Sequence, residues 1–133
     1  MRDGVLVEVT GRTGGDFDLG GVGFIVANSA DSSDALSFRV TPSGEYWLDR
    51  YSPQNPDGYK TLAIVHDGAI HAGFETPNRI GVLVRGSQYT FYVNGQFATS
   101  YDDDALRGGI VALYVDETSE QGTFLDVAVY PAG

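Results

Sequence analysis

Apolar and polar residues alternate with a period of two through most of the chain. In "GVLVEVTGR", Val5, Val7 and Val9 share one face while Glu8 and Thr10 share the other, the spacing of a half-buried strand. "ALSFRVT" turns Leu36, Phe38 and Val40 inward and Ser37, Arg39 and Thr41 outward. "NRIGVLVRG" places Ile80, Val82 and Val84 inward, and "SQYTFYVNG" does the same with Tyr89, Phe91 and Val93. "GVGFIVAN" is apolar on both faces, with Val22, Phe24 and Val26 opposite Ile25 and Ala27, which predicts a central strand covered on both sides. "EYWLDRY", "KTLAIVH", "AIHAG", "GGIVALYVD" and "TFLDVAVY" complete the set.

Turn chemistry separates these runs. Pro42 to Gly44 makes a tight turn, "SPQNPDGY" is the longest break, and Asp67-Gly68 marks a further turn. Asn94-Gly95 is the strongest hairpin signal, because both residues tolerate the positive φ of a type I′ turn. No stretch carries the helical period over a useful length. About ten short strands without a covering helix predict two antiparallel sheets packed face to face. The chain, 1–133, has no internal repeat or linker and reads as a single β-sandwich domain.

Composition narrows the function classes. There are 133 residues, enough for one core, and none is cysteine, so disulfides and thiolate metal sites are excluded. A net charge of -10 repels phosphate backbones and anionic lipid, which argues against nucleic-acid and membrane partners. No apolar run approaches the roughly 20 residues of a membrane span. The start, "MRDGVLVEVTG", lacks the basic and apolar regions of a secretion signal.

The order of motifs resembles the concanavalin A-like, LamG-type jelly-roll superfamily. Nearest to it are bacterial family-16-glycosidase-like, or 3-keto-disaccharide hydrolase-like, domains. The carrying pieces are Ser43 to Tyr46, Asn78 to Val82, the "YVNG" hairpin Tyr92 to Gly95, the acidic turn Asp102 to Asp104, Gly109 to Leu113 and Phe124 to Val129. Two features depart from the pattern. An aromatic-rich opening strand before "DGVLVEV" is missing, and the last strand reads Phe124-Leu125-Asp126 instead of Phe-Asp-Asn. The resemblance implies a jelly-roll sandwich and a module cut from a larger bacterial surface protein in an extracytoplasmic setting. The missing strand implies an edge that the terminal segments cover by pairing with each other, with a loop or with a partner.

The Glu-x-Asp-x-Glu string of true family-16 enzymes is absent, and Asp116, Glu117 and Glu120 lie in a turn with nothing to hold a carboxylate pair. His66 and His71 are the only histidines, and no Gly-x-Ser-x-Gly elbow occurs. Asp102, Asp103 and Asp104 suit either a capped turn leading into "ALRGG" or two or three ligands of a rim calcium site. Outward aromatics are the more suggestive pattern. Trp47, Asp49 and Tyr51 lie opposite Tyr46 and Leu48, Tyr92 lies opposite Phe91, and Arg39 and Arg85 take outward phases. If the strands share a sheet, these six residues form one platform for stacking and hydrogen-bonding a sugar. The reading is a non-catalytic binding module with carbohydrate as ligand. A glycosidase-like or keto-sugar hydrolase and a structural surface module stand as alternatives.

Overall fold

The computed structural model describes residues 4–14, 21–27, 34–103, 106, 110–115 and 121–131. Ten strands run in order: β1 (Val5–Gly14), β2 (Val22–Ala27), β3 (Ala35–Val40), β4 (Glu45–Tyr51), β5 (Tyr59–His66), β6 (Asn78–Arg85), β7 (Gln88–Val93), β8 (Gln96–Asp102), β9 (Ile110–Val115) and β10 (Gln121–Pro131). They form two five-stranded antiparallel sheets, ordered β10-β1-β6-β7-β8 and β5-β4-β3-β2-β9. We call them the first and second sheet. The all-β, two-sheet sandwich expected from the alternation is what the chain adopts.

The inward positions read from the period of two form the core, except Val5, which at the start of β1 is 43% exposed. Val9, Phe24, Val26, Leu36, Phe38, Ile80, Val82, Tyr89, Phe91 and Val93 are all fully buried and belong to one cluster. Phe38 of β3 stacks on Phe91 of β7 with ring centroids 4.5 Å apart, joining the two layers. The Tyr46 hydroxyl donates to the Ala98 carbonyl across the layers at 3.3 Å, so a buried tyrosine keeps its polar end satisfied.

Local chemistry explains the turns. Asn94 and Gly95 have φ of 51° and 81°, both positive as a type I′ hairpin requires. Pro42, Ser43 and Gly44 form a three-residue hairpin loop, with Gly44 at φ 89° and the Thr41 N–H donating to the Glu45 carbonyl. The strand expected at "AIHAG" does not form. After an Asp67 turn, residues 69–77 cross from the second sheet to the first as an irregular loop. Asn94 and Asn78 occupy that loop's polar groups: the Asn94 amide donates to the Ala69 carbonyl at 2.7 Å, and Asn78 accepts from the His71 N–H at 2.7 Å. Side-chain partners thus replaced the ladder a strand would have needed.

The two terminal segments pair with each other, one of the three arrangements expected for that edge. Val5 to Gly14 runs against Gln121 to Pro131, leaving β10 as the outer strand of the first sheet.

Candidate functional site

The outward face of the second sheet carries most of the expected site, and strand register sets it in three rows. Ile64, Trp47, Arg39 and Gly23 lie side by side across β5, β4, β3 and β2. Thr61, Asp49, Ser37 and Ile25 form the next row, and Tyr59, Tyr51, Ala35 and Ala27 the third. A β-bulge between Leu48 and Asp49 shifts the pairing with β5. Without it, Asp49 would face Leu62 and Tyr51 would face Lys60. The bulge instead brings a hydroxyl and a second tyrosine onto this face, the re-aiming that bulges provide.

At the centre lies an ion pair. Arg39 Nη1 donates to Asp49 Oδ2 at 3.2 Å, and the Thr61 hydroxyl donates to Asp49 Oδ1 at 2.6 Å. Arg39 is only 7% exposed and Asp49 only 3%, although both point away from the core. The sequence reading had these outward phases in solvent. Burial on β3 instead extends to both faces, β3 being the middle strand of its sheet. The Arg39 guanidinium sits 4.4 Å from the centroid of the Trp47 ring, a cation–π contact. Indole Nε1–H donates to Glu45 Oε1 at 3.3 Å. One face of Trp47 and its polar edge are therefore engaged. Gly23 has a backbone reason to be glycine: a Cβ there would lie 1.8 Å from the Phe38 carbonyl oxygen, and the row runs on to Tyr114 of β9.

Four residues beyond Trp47 on the same strand face, in the third row, Tyr51 meets Tyr59 with centroids 5.7 Å apart. Ser37 is fully buried in the middle row, and its hydroxyl has no hydrogen-bond partner among the described residues.

Tyr92 and Arg85 do not join this platform. They lie on β7 and β6 of the first sheet, on the opposite side of the sandwich from Trp47. The single platform of six residues is therefore corrected to two faces. Tyr92 meets Phe97 edge-on at 6.5 Å, and its row also holds Gly81 and Glu8. Arg79 ties that face together with bonds to Glu8, Thr10 and Asp126. Burial alone would lower the Arg79 pKa, but its bonds to Asp126 and Glu8 raise it.

The acidic turn divides its aspartates. Asp102 accepts from the Ser87 hydroxyl at 3.0 Å, whereas Asp103 accepts from Arg50 Nε at 3.0 Å and from the Tyr101 hydroxyl at 3.3 Å. Arg50 also donates to Asp34 at 2.6 Å and to the Tyr51 carbonyl. Burial would lower the Arg50 pKa, and the bonds to the two aspartates raise it. Leu106 N–H donates to the Asp103 carbonyl at 3.0 Å. Among the described residues no three carboxylates or histidines gather as metal ligands. Asp104 lies outside the described residues.

Thr61, Tyr59 and Glu45 were missed by the sequence reading. Glu45 had a legible signal, since it shares the phase of Trp47 two residues away. Thr61 and Tyr59 had none, because a bulge decides their phase.

No protein-family description matches the chain, and no curated relative does. Solved structures do. The carbohydrate binding module CBM66 from Bacillus subtilis superposes with a TM-score of 0.74 at 12% identity, covering 97% of this chain and 75% of that one. Sheep galectin-11, in complex with glycerol, gives 0.65 at 12% identity over 96% of this chain and 90% of its own. The Ruminococcus gnavus IT-sialidase CBM40 bound to α2,3 sialyllactose gives 0.56 at 13%, covering 98% and 76%. The narrower likeness to 3-keto-disaccharide hydrolase-like domains has no counterpart among these three. At such identities the likeness establishes architecture: the chain has the two-sheet jelly-roll sandwich.

Proposed function

We propose that the chain is a non-catalytic carbohydrate-binding module that uses the outward face of the second sheet. The carrying observation is a tryptophan outside the core cluster, held on one face by Arg39 and at its edge by Glu45. A ring already fixed in place loses little freedom when a sugar stacks on it. Stacking one sugar on such a ring removes apolar area worth a few kcal/mol at roughly 25 cal/mol per Å², which after association costs corresponds to weak binding. Three of the solved folds that resemble this one are a carbohydrate binding module, a galectin and a sialyllactose-bound module, which favours the same ligand class. An extracytoplasmic setting fits that class.

Hydrolysis finds less support on this face. Glu45 and Asp49 share it four residues apart on β4, about 13 Å at the strand rise. Paired glycosidase carboxylates stand about 5–9.5 Å apart, and Asp49 is committed to Arg39 and Thr61. A glycan array followed by calorimetry on Trp47→Ala tests the proposal. Binding by the parent chain and its loss in the variant, with folding retained, is the expected result. Undiminished binding in Trp47→Ala would refute this face.

A further inference from the structure

Resting on that reading of the site, we propose that its ligand is a neutral, linear oligosaccharide laid along β4, not a single terminal sugar and not an acidic one.

Length is the first argument. Trp47 and Tyr51 lie on the same face of one strand, four residues apart, which separates their Cα atoms by about 13 Å. That span exceeds one pyranose ring, so a ligand touching both platforms has more than one. The Tyr51 end is built as a platform in its own right. Tyr51 and Tyr59 are cross-strand partners only because β5 carries its bulge, and their rings touch at 5.7 Å. Tyr59 is about half exposed, as is Ile64 beside Trp47, so the first and third rows both present apolar surface to a ligand.

Charge is the second argument. Arg39 is engaged with one face of the Trp47 ring, 4.4 Å from its centroid, and its charge is matched by Asp49 at 3.2 Å. Both are too buried to reach a ligand, so they position the indole. Glu45 sits at the indole edge, and the whole chain carries -10. A carboxylated sugar would meet the Glu45 carboxylate and the net negative charge of the chain, while Lys60, the described cation between Tyr59 and Thr61, takes the opposite phase of β5. Hydroxyls of a neutral glycan find acceptors and donors in Glu45, Thr61 and the two tyrosine hydroxyls.

The experiment is calorimetry with ladders of neutral oligosaccharides (fructo-, xylo-, cello- and galacto-series, one to six units), with sialyllactose as the acidic probe. Affinity in the recognised series should rise roughly tenfold or more from one unit to four and then level off, as a second ring stack is added. Tyr51→Ala and Tyr59→Ala should flatten the dependence of affinity on length. Trp47→Ala should abolish binding at every length. Length-independent binding that is lost in Trp47→Ala overturns this inference and leaves the function standing. So does tighter binding of sialyllactose than of any neutral ladder. No binding of any probe overturns the function and the inference together.

Discussion

Replacing Arg39 by methionine would leave the Asp49 carboxylate, 3% exposed, with the Thr61 hydroxyl at 2.6 Å as its remaining side-chain partner. A buried charge stripped of its counter-charge costs about 3–5 kcal/mol, because the low-dielectric surroundings cannot replace the lost water. For a single domain with a urea slope near 2 kcal/mol per M, that is a fall of about 2 M in the unfolding midpoint. The partner variant Asp49→Leu should also destabilise, by taking from Arg39 the carboxylate it meets at 3.2 Å. The double variant Arg39→Met/Asp49→Leu should recover most of the loss, since two apolar side chains of similar volume remove both desolvation penalties. Urea unfolding followed by tryptophan fluorescence reads all four proteins, Trp47 being the single tryptophan and in contact with Arg39. The reasoning fails if Arg39→Met shifts stability by less than about 1 kcal/mol, the size of an exposed pair. It also fails if the double variant is as unstable as the worse single one. Sugar binding by the double variant should drop even where stability returns, because Trp47 has lost the group that positions it.

Arg79→Ala offers the contrast: its partners are partly exposed, so it should lose under about 1 kcal/mol, and the loss should shrink in high salt. Asn94→Ala should cost about 2–4 kcal/mol, since it breaks the bonds to Ala69, Asn78 and the Arg79 N–H and puts alanine at φ 51°. Asn94→Gly should recover only the backbone part, measured by thermal unfolding. Tyr101 has its pKa raised above 10.0 by burial and by the neighbouring Asp103 charge. A raised folded pKa contributes stability that is present below pH 10 and lost as pH climbs through the folded value. Tyr101→Phe should therefore lose less stability above pH 10 than the parent chain, and equal slopes would contradict this. A calcium site at the acidic turn would have to draw Asp103 away from Arg50. A calcium-dependent rise in melting temperature that disappears in Asp102→Asn would establish it, and identical curves in calcium and chelator would rule it out.

The alternation in "EYWLDRY" and "ALSFRVT" was enough to place Trp47, Asp49, Tyr51 and Arg39 on one side of their strands, because a strand's side-chain period is two whatever it pairs with. The same local rule named the core, and the Asn94-Gly95 turn followed from φ preferences alone. Pairing is a different kind of information. Trp47 and Tyr92 were parted because β4 and β7 join different sheets, a choice made by contacts far apart in the chain that no local pattern encodes. The bulge that sets Thr61 on Asp49 and Tyr59 beside Tyr51 depends on how two strands fit, so neither strand's own alternation predicts it. The burial of Arg39 and Asp49 on an outward face, and the capture of Asp103 by Arg50 across 53 residues, likewise came from packing. Sequence assigned each side chain a face, and only the tertiary structure decided which faces met, because phase is a local property of the backbone and neighbourhood is not.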